Sequence, residues 1–307
     1  MESDSKTHSG DDTTPDDWMD LAVDSPDGSP AASPAATQKP SEEEDFKLSL
    51  ITWNVDGFDL EKRPERSRGL VKYLNLHNPD VVFLQELVPP YVQFLKEQLV
   101  NYLMIEGGRN GCFTGMLLKK SRVKLVESEM VAYPTTKMRR NLLVAQVIVN
   151  GQKLCLMTSH FESCKENTAE HLNQLHVVKW RFKHAPDDVT VVFGGDTNLR
   201  DAEVTKVGLP ATVCDVWERL GKQEHCRYTW DTSANNNKKA SYPVRFRFDR
   251  IYLRPASDVE SHVWPLITWP WWGWRSWTVD AILVITGEST APSQLNRTTQ
   301  SNQKHDS

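Results

Sequence analysis

From Val189 to Arg200 the chain reads V-T-V-V-F-G-G-D-T-N-L-R, an apolar, β-branched run that stops at two glycines and a polar cluster. The run suits a buried strand, and glycine at its end lets backbone approach a ligand where a side chain would intervene. Asp196, Asn198 and Arg200 leave that end together, an acceptor, an amide and a fixed cationic fork. That set can activate a water beside a phosphate. Taken alone, the same residues also make an ordinary turn.

The pattern recurs, and the recurrence is what constrains the fold. Trp53-Asn54-Val55-Asp56, Leu84-Gln85-Glu86 and Ser159-His160 each end an apolar run in polar groups, and Arg247-Phe248-Asp249-Arg250 sets a carboxylate in an aromatic strand. One such end is a solvated strand terminus. Five, rich in Asp, Glu and Asn with one His, indicate a site assembled on one edge of packed sheets. Between them the spacing predicts helices over 64–77, from Pro89 onward and over 168–182. It predicts strands around Leu103 and over 112–118, 123–131, 142–149 and 154–158, with a tight hairpin at Asn150-Gly151. Strand runs separated by covering helices suggest an α/β sandwich of two packed sheets.

Composition bounds the partners. Residues 1–45 carry thirteen Asp and Glu against two Lys, a net of −11 where the whole chain has −5, which leaves +6 for the remainder. A basic body suits an anionic partner such as nucleic acid, although +6 is mild. The leader is rich in Ser, Pro, Ala and acids and is expected to be disordered; Trp18–Val23 is its one apolar island, a docking peptide or a chance cluster. Five scattered cysteines without a C-x-x-C pair fit a reducing compartment, and no secretory signal is expected from the N-terminal residues. The expectation is an intracellular soluble protein.

Hard oxygen donors without paired thiolates or histidines favour magnesium or manganese over zinc. Glu86 and Asp56 suit the metal, and Asp196 the proton of an attacking water. Asn54 and Asn198 would orient that water or a phosphate oxygen, while His160, Ser163 and Arg200 would hold phosphate oxygens.

The motifs T-W-N-V-D-G at 52–57, L-Q-E at 84–86, T-S-H-F-E-S at 158–163, G-D-T-N-L-R at 195–200 and R-F-D-R-I at 247–251 resemble the endonuclease/exonuclease/phosphatase family. The blocks Thr136–Leu143, Asp215–Glu218 and Tyr228–Thr232 resemble its branch that removes tyrosyl adducts from DNA. The likeness covers roughly 46–267 and implies a four-layer sandwich of two mainly antiparallel sheets flanked by helices. It implies an Mg2+-dependent (Mn2+ substituting) hydrolase that cleaves the bond between a topoisomerase II tyrosine and the 5′-phosphate of single-stranded DNA ends. The setting would be double-strand-break repair, in the nucleus and cytoplasm, by a monomer. By position, Asp196 matches the family's acid/base, Asp56 and Glu86 its metal site, Asn54 and Asn198 its phosphate and water handling. Asp249 matches a carboxylate that orients a catalytic histidine, and Trp230 and Phe248 a hydrophobic wall for single-stranded DNA. A DNA-groove tyrosine of the family falls at Cys112, a phosphate-contacting arginine at Lys165, and an apolar wall residue at Lys238. Lysine keeps the charge of arginine and loses its bidentate fork. Other readings stay open: a catalytically impaired DNA-end-binding protein, or another phosphodiesterase of this fold such as an abasic endonuclease, deadenylase or sphingomyelinase.

The largest departure from the family is Thr268–Ala291, where five tryptophans fall within residues 269–277 and the family's Ser-Asp-His-Trp motif is missing. The domains expected are therefore a leader (1–45), a phosphodiesterase domain (46–267) and an aberrant tail (268–307) in place of the domain's end, with its closing strand lost. Because tryptophan has a single codon, the run constrains its own DNA. Reading one base earlier permits a string ending Pro-Ser-Asp-His-Trp-Gly, so the hypothesis is a tail translated out of frame. Sequencing the transcript across codons 260–292 is expected to reveal that alternative frame. A clean in-frame read of the tryptophan run in independent samples, with no second isoform, would exclude it.

Overall fold

The computed structural model describes residues 46–233 and 241–257, together with the backbone of two further strands at 262–266 and 282–287. The expectations for the leader, Lys238 and the tryptophan run lie outside the described residues.

Two six-stranded sheets pack face to face. The first has the order β13-β14-β1-β2-β4-β3, built from β1 (Phe46–Asn54), β2 (Val81–Leu87), β3 (Tyr102–Glu106), β4 (Phe113–Lys119), β13 (His262–Leu266) and β14 (Ile282–Gly287). The second has the order β5-β6-β7-β8-β12-β9, from β5 (Val123–Ala132), β6 (Asn141–Val149), β7 (Gln152–His160), β8 (Thr190–Asp196), β9 (Cys214–Asp215) and β12 (Asp249–Arg254). A short ribbon of β10 (Trp230–Asp231) and β11 (Arg245–Phe246) stands beside it. Helices α1 (Arg63–His77) and α2 (Pro89–Gln98) cover the outer face of the first sheet, and α3 (Thr168–His184) that of the second. Two shorter helices, α4 (Asp201–Val207) and α5 (Val216–Arg219), join β8 to β9 and follow it. The result is the four-layer α/β sandwich that the sequence implied.

Each layer follows from its pattern. Leu48, Leu50, Phe83 and Met116 of the first sheet meet Leu143, Leu156, Val192 and Ile251 of the second in the central core. Alternate residues of the same strands, such as Ile51, Val82 and Leu84, face Leu70, Leu74 and Tyr91 of the helices. Prolines open α1 and α2 at positions that lack an intrahelical N–H partner in any case. The Asn150-Gly151 hairpin forms, with both residues at positive φ. The apolar stretch Phe246–Leu253 is interrupted, because the amides of Phe248 and Asp249 both donate to the Thr229 hydroxyl at 3.0 Å. Strand β14 lies antiparallel to β1, filling the place that the sequence reading left without a closing strand.

Two features of the sheets build the site. Neighbouring strands are antiparallel except for β1 with β2 and β7 with β8. Parallel neighbours end side by side, so Asn54 pairs with Gln85 and His160 with Asp196. The sheets also approach closely just below these ends. A Cβ on Gly194 would lie 2.8 Å from the Phe83 ring across the interface, while within the second sheet one on Gly195 would lie 2.1 Å from the Ser159 carbonyl oxygen of neighbouring β7. Buried Gln85 crosses the same gap, its amide donating to Thr52 at 3.1 Å and Thr158 at 3.2 Å.

The two glycines are therefore not equivalent. Gly194→Ala is expected to cost roughly 1–3 kcal/mol by overpacking and to be partly rescued by Phe83→Leu. Gly195→Ala meets backbone that cannot retreat and is expected to cost more, without rescue. Equilibrium denaturation of the three variants checks the order; equal losses for the two glycines would refute it.

Candidate active site

Eleven residues singled out from the sequence line one cleft of about 510 Å3: Asn54, Asp56, Glu86, His160, Ser163, Asp196, Asn198, Arg200, Trp230, Phe248 and Asp249. Asn54, Glu86, His160 and Asp196 arrive on the paired strand ends. At the centre, Asn54 Nδ2 donates to Glu86 Oε1 and to Asp196 Oδ2, both at 3.0 Å, while its Oδ1 accepts from the Asp56 amide at 2.9 Å. The second oxygen of Asp196 accepts from the Asn198 amide at 3.1 Å. Burial raises the Asp196 carboxyl above its usual range, against the hydrogen bonds from Asn54 and Asn198 that favour its charge.

His160 lies beneath this pair, its Nδ1 3.8 Å from Glu86 and its Nε2 3.6 Å from Asp196. Burial, helped by the charge of Arg140, lowers its pKa to about 3, so the ring is neutral near pH 7. Its Nδ1 is buried without a hydrogen-bond partner among the described residues. The Asn198 side-chain amide reaches the Phe161 carbonyl at 3.3 Å and Ser163 Oγ at 3.5 Å. Asp56, Glu86 and Asn198 all have positive φ, at 48°, 59° and 52°. Left-handed backbone at non-glycine residues gathers where function has set the geometry.

One wall is aromatic. Phe246 stacks on Phe248 with centroids 4.8 Å apart, and Trp230 lies 6.0 and 6.1 Å from the two rings. The Arg200 guanidinium sits 5.5 Å over Phe246. The lip contributed by the first sheet carries Phe58, 62 % exposed.

Two residues singled out from the sequence lie off the cleft lining. Lys165 is exposed in a short 3-10 turn next to Cys164. Cys112 stands behind the rim, its thiol pushed up to about 11 by burial and then by the Glu86 charge. Other contributors carry no site signal of their own in the sequence. Phe246 completes the wall, and Thr229 donates to Asp249 Oδ2 at 2.8 Å. Arg140 reaches Ser163 Oγ at 3.4 Å. The block Thr136–Leu143 carries part of the family resemblance, but no spacing rule ties Arg140 to the strand ends.

Among the described residues no group of three His, Cys, Asp or Glu is placed to hold a metal ion by itself. Magnesium, which keeps waters and binds through one or two carboxylates plus substrate phosphate, needs no such cage. Glu86 fits that role, since 22 % of its side chain opens to the cleft, with Asp56 on the same rim.

A model of the endonuclease/exonuclease/phosphatase family matches residues 51–284. The chain belongs to that family. It is similar to tyrosyl-DNA phosphodiesterase 2 of Danio rerio, 63% identical over 217 residues, which is 70% of this chain and 59% of that protein. The Homo sapiens protein of that name is 48% identical over 252 residues, 82% of this chain and 69% of its own length. The chain thus spans about three-fifths of the D. rerio relative it matches. The crystal structure of the D. rerio enzyme complexed with single-strand DNA product superposes with a TM-score of 0.72 at 54% identity, covering 80% of this chain and 100% of that one.

Asp249 faces Asp196 across β8 and β12. Burial and then the Asp196 charge hold its carboxyl well above the ordinary range. A group whose folded pKa is raised binds its proton more tightly in the native state, so its contribution is present at low pH and is lost as pH rises through the folded value. Asp249→Asn removes that term. The melting temperature of the variant relative to wild type is therefore expected to increase as pH is raised from 4 to 8. A difference independent of pH would refute this reading.

Proposed function

We propose that this chain is a divalent-cation-dependent 5′-tyrosyl-DNA phosphodiesterase, hydrolysing the bond between a topoisomerase II tyrosine and the 5′-phosphate of a single-stranded DNA end. Such a monomeric enzyme would act in double-strand-break repair in the nucleus and cytoplasm. The observation that carries the reading is one cleft holding Asp196, hydrogen-bonded at both carboxylate oxygens, beside an aromatic wall. Similarity to enzymes named for this activity supports it.

The residues divide the work. Asp196, with both oxygens anchored and its basicity raised by burial, takes the proton of the attacking water. Asn198 holds that water or a phosphate oxygen, and the neutral His160 offers a ring N–H to the phosphate. Ser163 and Arg200 meet other phosphate oxygens, while Trp230, Phe246 and Phe248 stack on the nucleotides that follow. Glu86 and Asp56 would hold Mg2+, or Mn2+ in its place. Bound there, the cation supplies Lewis-acid offset of the phosphate's charge.

A second reading, an impaired enzyme that still binds DNA ends, draws on Asp249. Its partner here is the Thr229 hydroxyl, where the family resemblance implies an imidazole. Restoring the Ser-Asp-His motif is on that account expected to raise turnover by ~10²–10³-fold, the usual worth of one transition-state donor.

A 5′-phosphotyrosyl oligonucleotide should be cleaved to free tyrosine and a 5′-phosphate in the presence of Mg2+, and chelation should stop the reaction. Asp196→Asn is expected to abolish turnover while leaving oligonucleotide binding within a few-fold. Binding without turnover in the wild type would favour the second reading, and loss of binding together with turnover in the variant would remove Asp196 from its role as base.

A further inference from the structure

His171 belongs to none of the motifs that build the cleft, and it is fully buried. It stands in the first turn of α3, whose inner face otherwise carries Gln174, Leu175, Val178 and Phe182. Neither ring nitrogen has a hydrogen-bond partner among the described residues. That alone would leave it an ordinary core histidine. What sets it apart is the group it faces. Its Nδ1 lies 3.5 Å from Glu203 Oε1 of α4, the one carboxylate within 4 Å of the ring among the described residues. A movement of roughly 0.5 Å would bring the pair to hydrogen-bond length.

Glu203 carries that contact into the site. Its Oε2 accepts the Arg200 amide at 2.6 Å, and its own amide donates to the Arg200 carbonyl at 3.0 Å. Burial opposes its charge, but the Arg200 amide and then Thr168 lead the groups that outweigh burial and hold its pKa below the usual range. One residue thus grips Arg200 at both ends of its backbone and sets the direction in which its side chain leaves β8. That side chain lines the cleft, with its guanidinium 5.5 Å over Phe246.

The turn that bears Arg200 depends on such outside anchors. Helix α4 has only seven residues, too few to hold its place without tertiary contacts. On one side Arg250 of β12 donates to the Leu199 carbonyl at 3.2 Å and to the Asp201 carboxylate at 2.8 Å. On the other side stands the α3 contact, His171 against Glu203. A carboxylate held at one oxygen can still turn about that bond, and a donor at the other oxygen removes the freedom.

We propose that His171 is a positioning residue for the reaction: through Glu203 it fixes the α4 turn that aims the Arg200 guanidinium at the phosphate. The inference deepens the proposed function and rests on its assignment of Arg200 to the phosphate.

The test compares His171→Leu, which removes the donor, with His171→Asn, which keeps an N–H near the Nδ1 position, each in wild type and in Arg200→Ala. One readout is kcat/KM on a 5′-phosphotyrosyl oligonucleotide with Mg2+. The other is the binding preference for a 5′-phosphorylated over a 5′-hydroxyl oligonucleotide, which needs no turnover. His171→Leu should lower both by about 3- to 10-fold, the worth of one hydrogen bond, with 5′-hydroxyl binding unchanged, and His171→Asn should recover part. In Arg200→Ala the leucine should cost nothing further, a non-additivity that general destabilisation would not produce. Glu203→Gln, which keeps an acceptor for the Arg200 amide and gives up the charge facing His171, should reproduce the loss if the leucine variant does not fold. The inference is overturned if these variants change neither readout, if they weaken both strands equally, or if their loss is as large in Arg200→Ala as in wild type. A wild type that never cleaves the tyrosyl bond, yet loses its 5′-phosphate preference through His171→Leu only while Arg200 is present, would support His171 and reject the function.

Discussion

The whole site turns on one side-chain amide. Asn54 Nδ2 donates to Glu86, its neighbour on β2, and to Asp196, on a strand of the opposite sheet. Its orientation is not arbitrary. Turning the amide over would point Oδ1 at two carboxylates and leave the Asp56 amide facing a donor, so three partners agree on one assignment. Two acidic groups that would repel each other are thereby held within the reach of a single nitrogen. Nothing comparable would be possible if the strands were antiparallel at these positions, since their ends would then lie on opposite edges. The two parallel pairings and the glycine-permitted approach of the sheets are what place those ends within one amide's reach.

Holding that geometry costs backbone energy. A non-glycine residue at positive φ is disfavoured by ~1–3 kcal/mol, less for Asn and Asp than for Glu. Glu86 is therefore the most costly of the three, and the surroundings show what fixes it. The β1–β2 ladder continues past the end of β1 through Val55 to Gln85 and Gly57 to Glu86, each bond at 3.0 Å. Gly57 cannot be larger, because a Cβ there would lie 2.2 Å from the Glu86 oxygen. Arg66 of α1 then holds the carbonyls of Val55 and Asp56 at 3.1–3.2 Å, and that of Asp59 as well. Packing of α1 against the first sheet is in this way converted into the position of a carboxylate.

The same division explains what the sequence disclosed. Strand periodicity and polar strand ends are local signals, so Asn54, Glu86, His160 and Asp196 were legible one by one. Their recurrence pointed to one edge of packed sheets, but which ends lie side by side there depends on sheet order, which periodicity does not give. Arg140, Phe246 and Thr229 belong to loops and two-residue strands whose paths are set by distant partners: Glu162 for the first, the Trp230 ribbon for the second, Asp249 for the third. No pattern within their own neighbourhoods separates them from ordinary polar or aromatic residues. Lys165 shows the converse. Its alignment with a phosphate-contacting arginine was clear, yet it sits exposed on a turn, outside the cleft lining.

Charge ties the proposed base to the proposed cation site. In the proposed reaction a phosphodiester entering the cleft would approach Asp56, Glu86, Asp196 and Asp249, with Arg200 as a cationic side chain in the lining. His160 adds no charge, since burial keeps it neutral. Burial raises the Asp196 carboxyl, and burial and then the Asp196 charge raise that of Asp249. A divalent cation at Glu86 would leave Asp196 ionised and make room for the phosphate's own charge. The ionised fraction of Asp196 and the affinity for phosphate would therefore rise together, both through countercharge at the Glu86 rim.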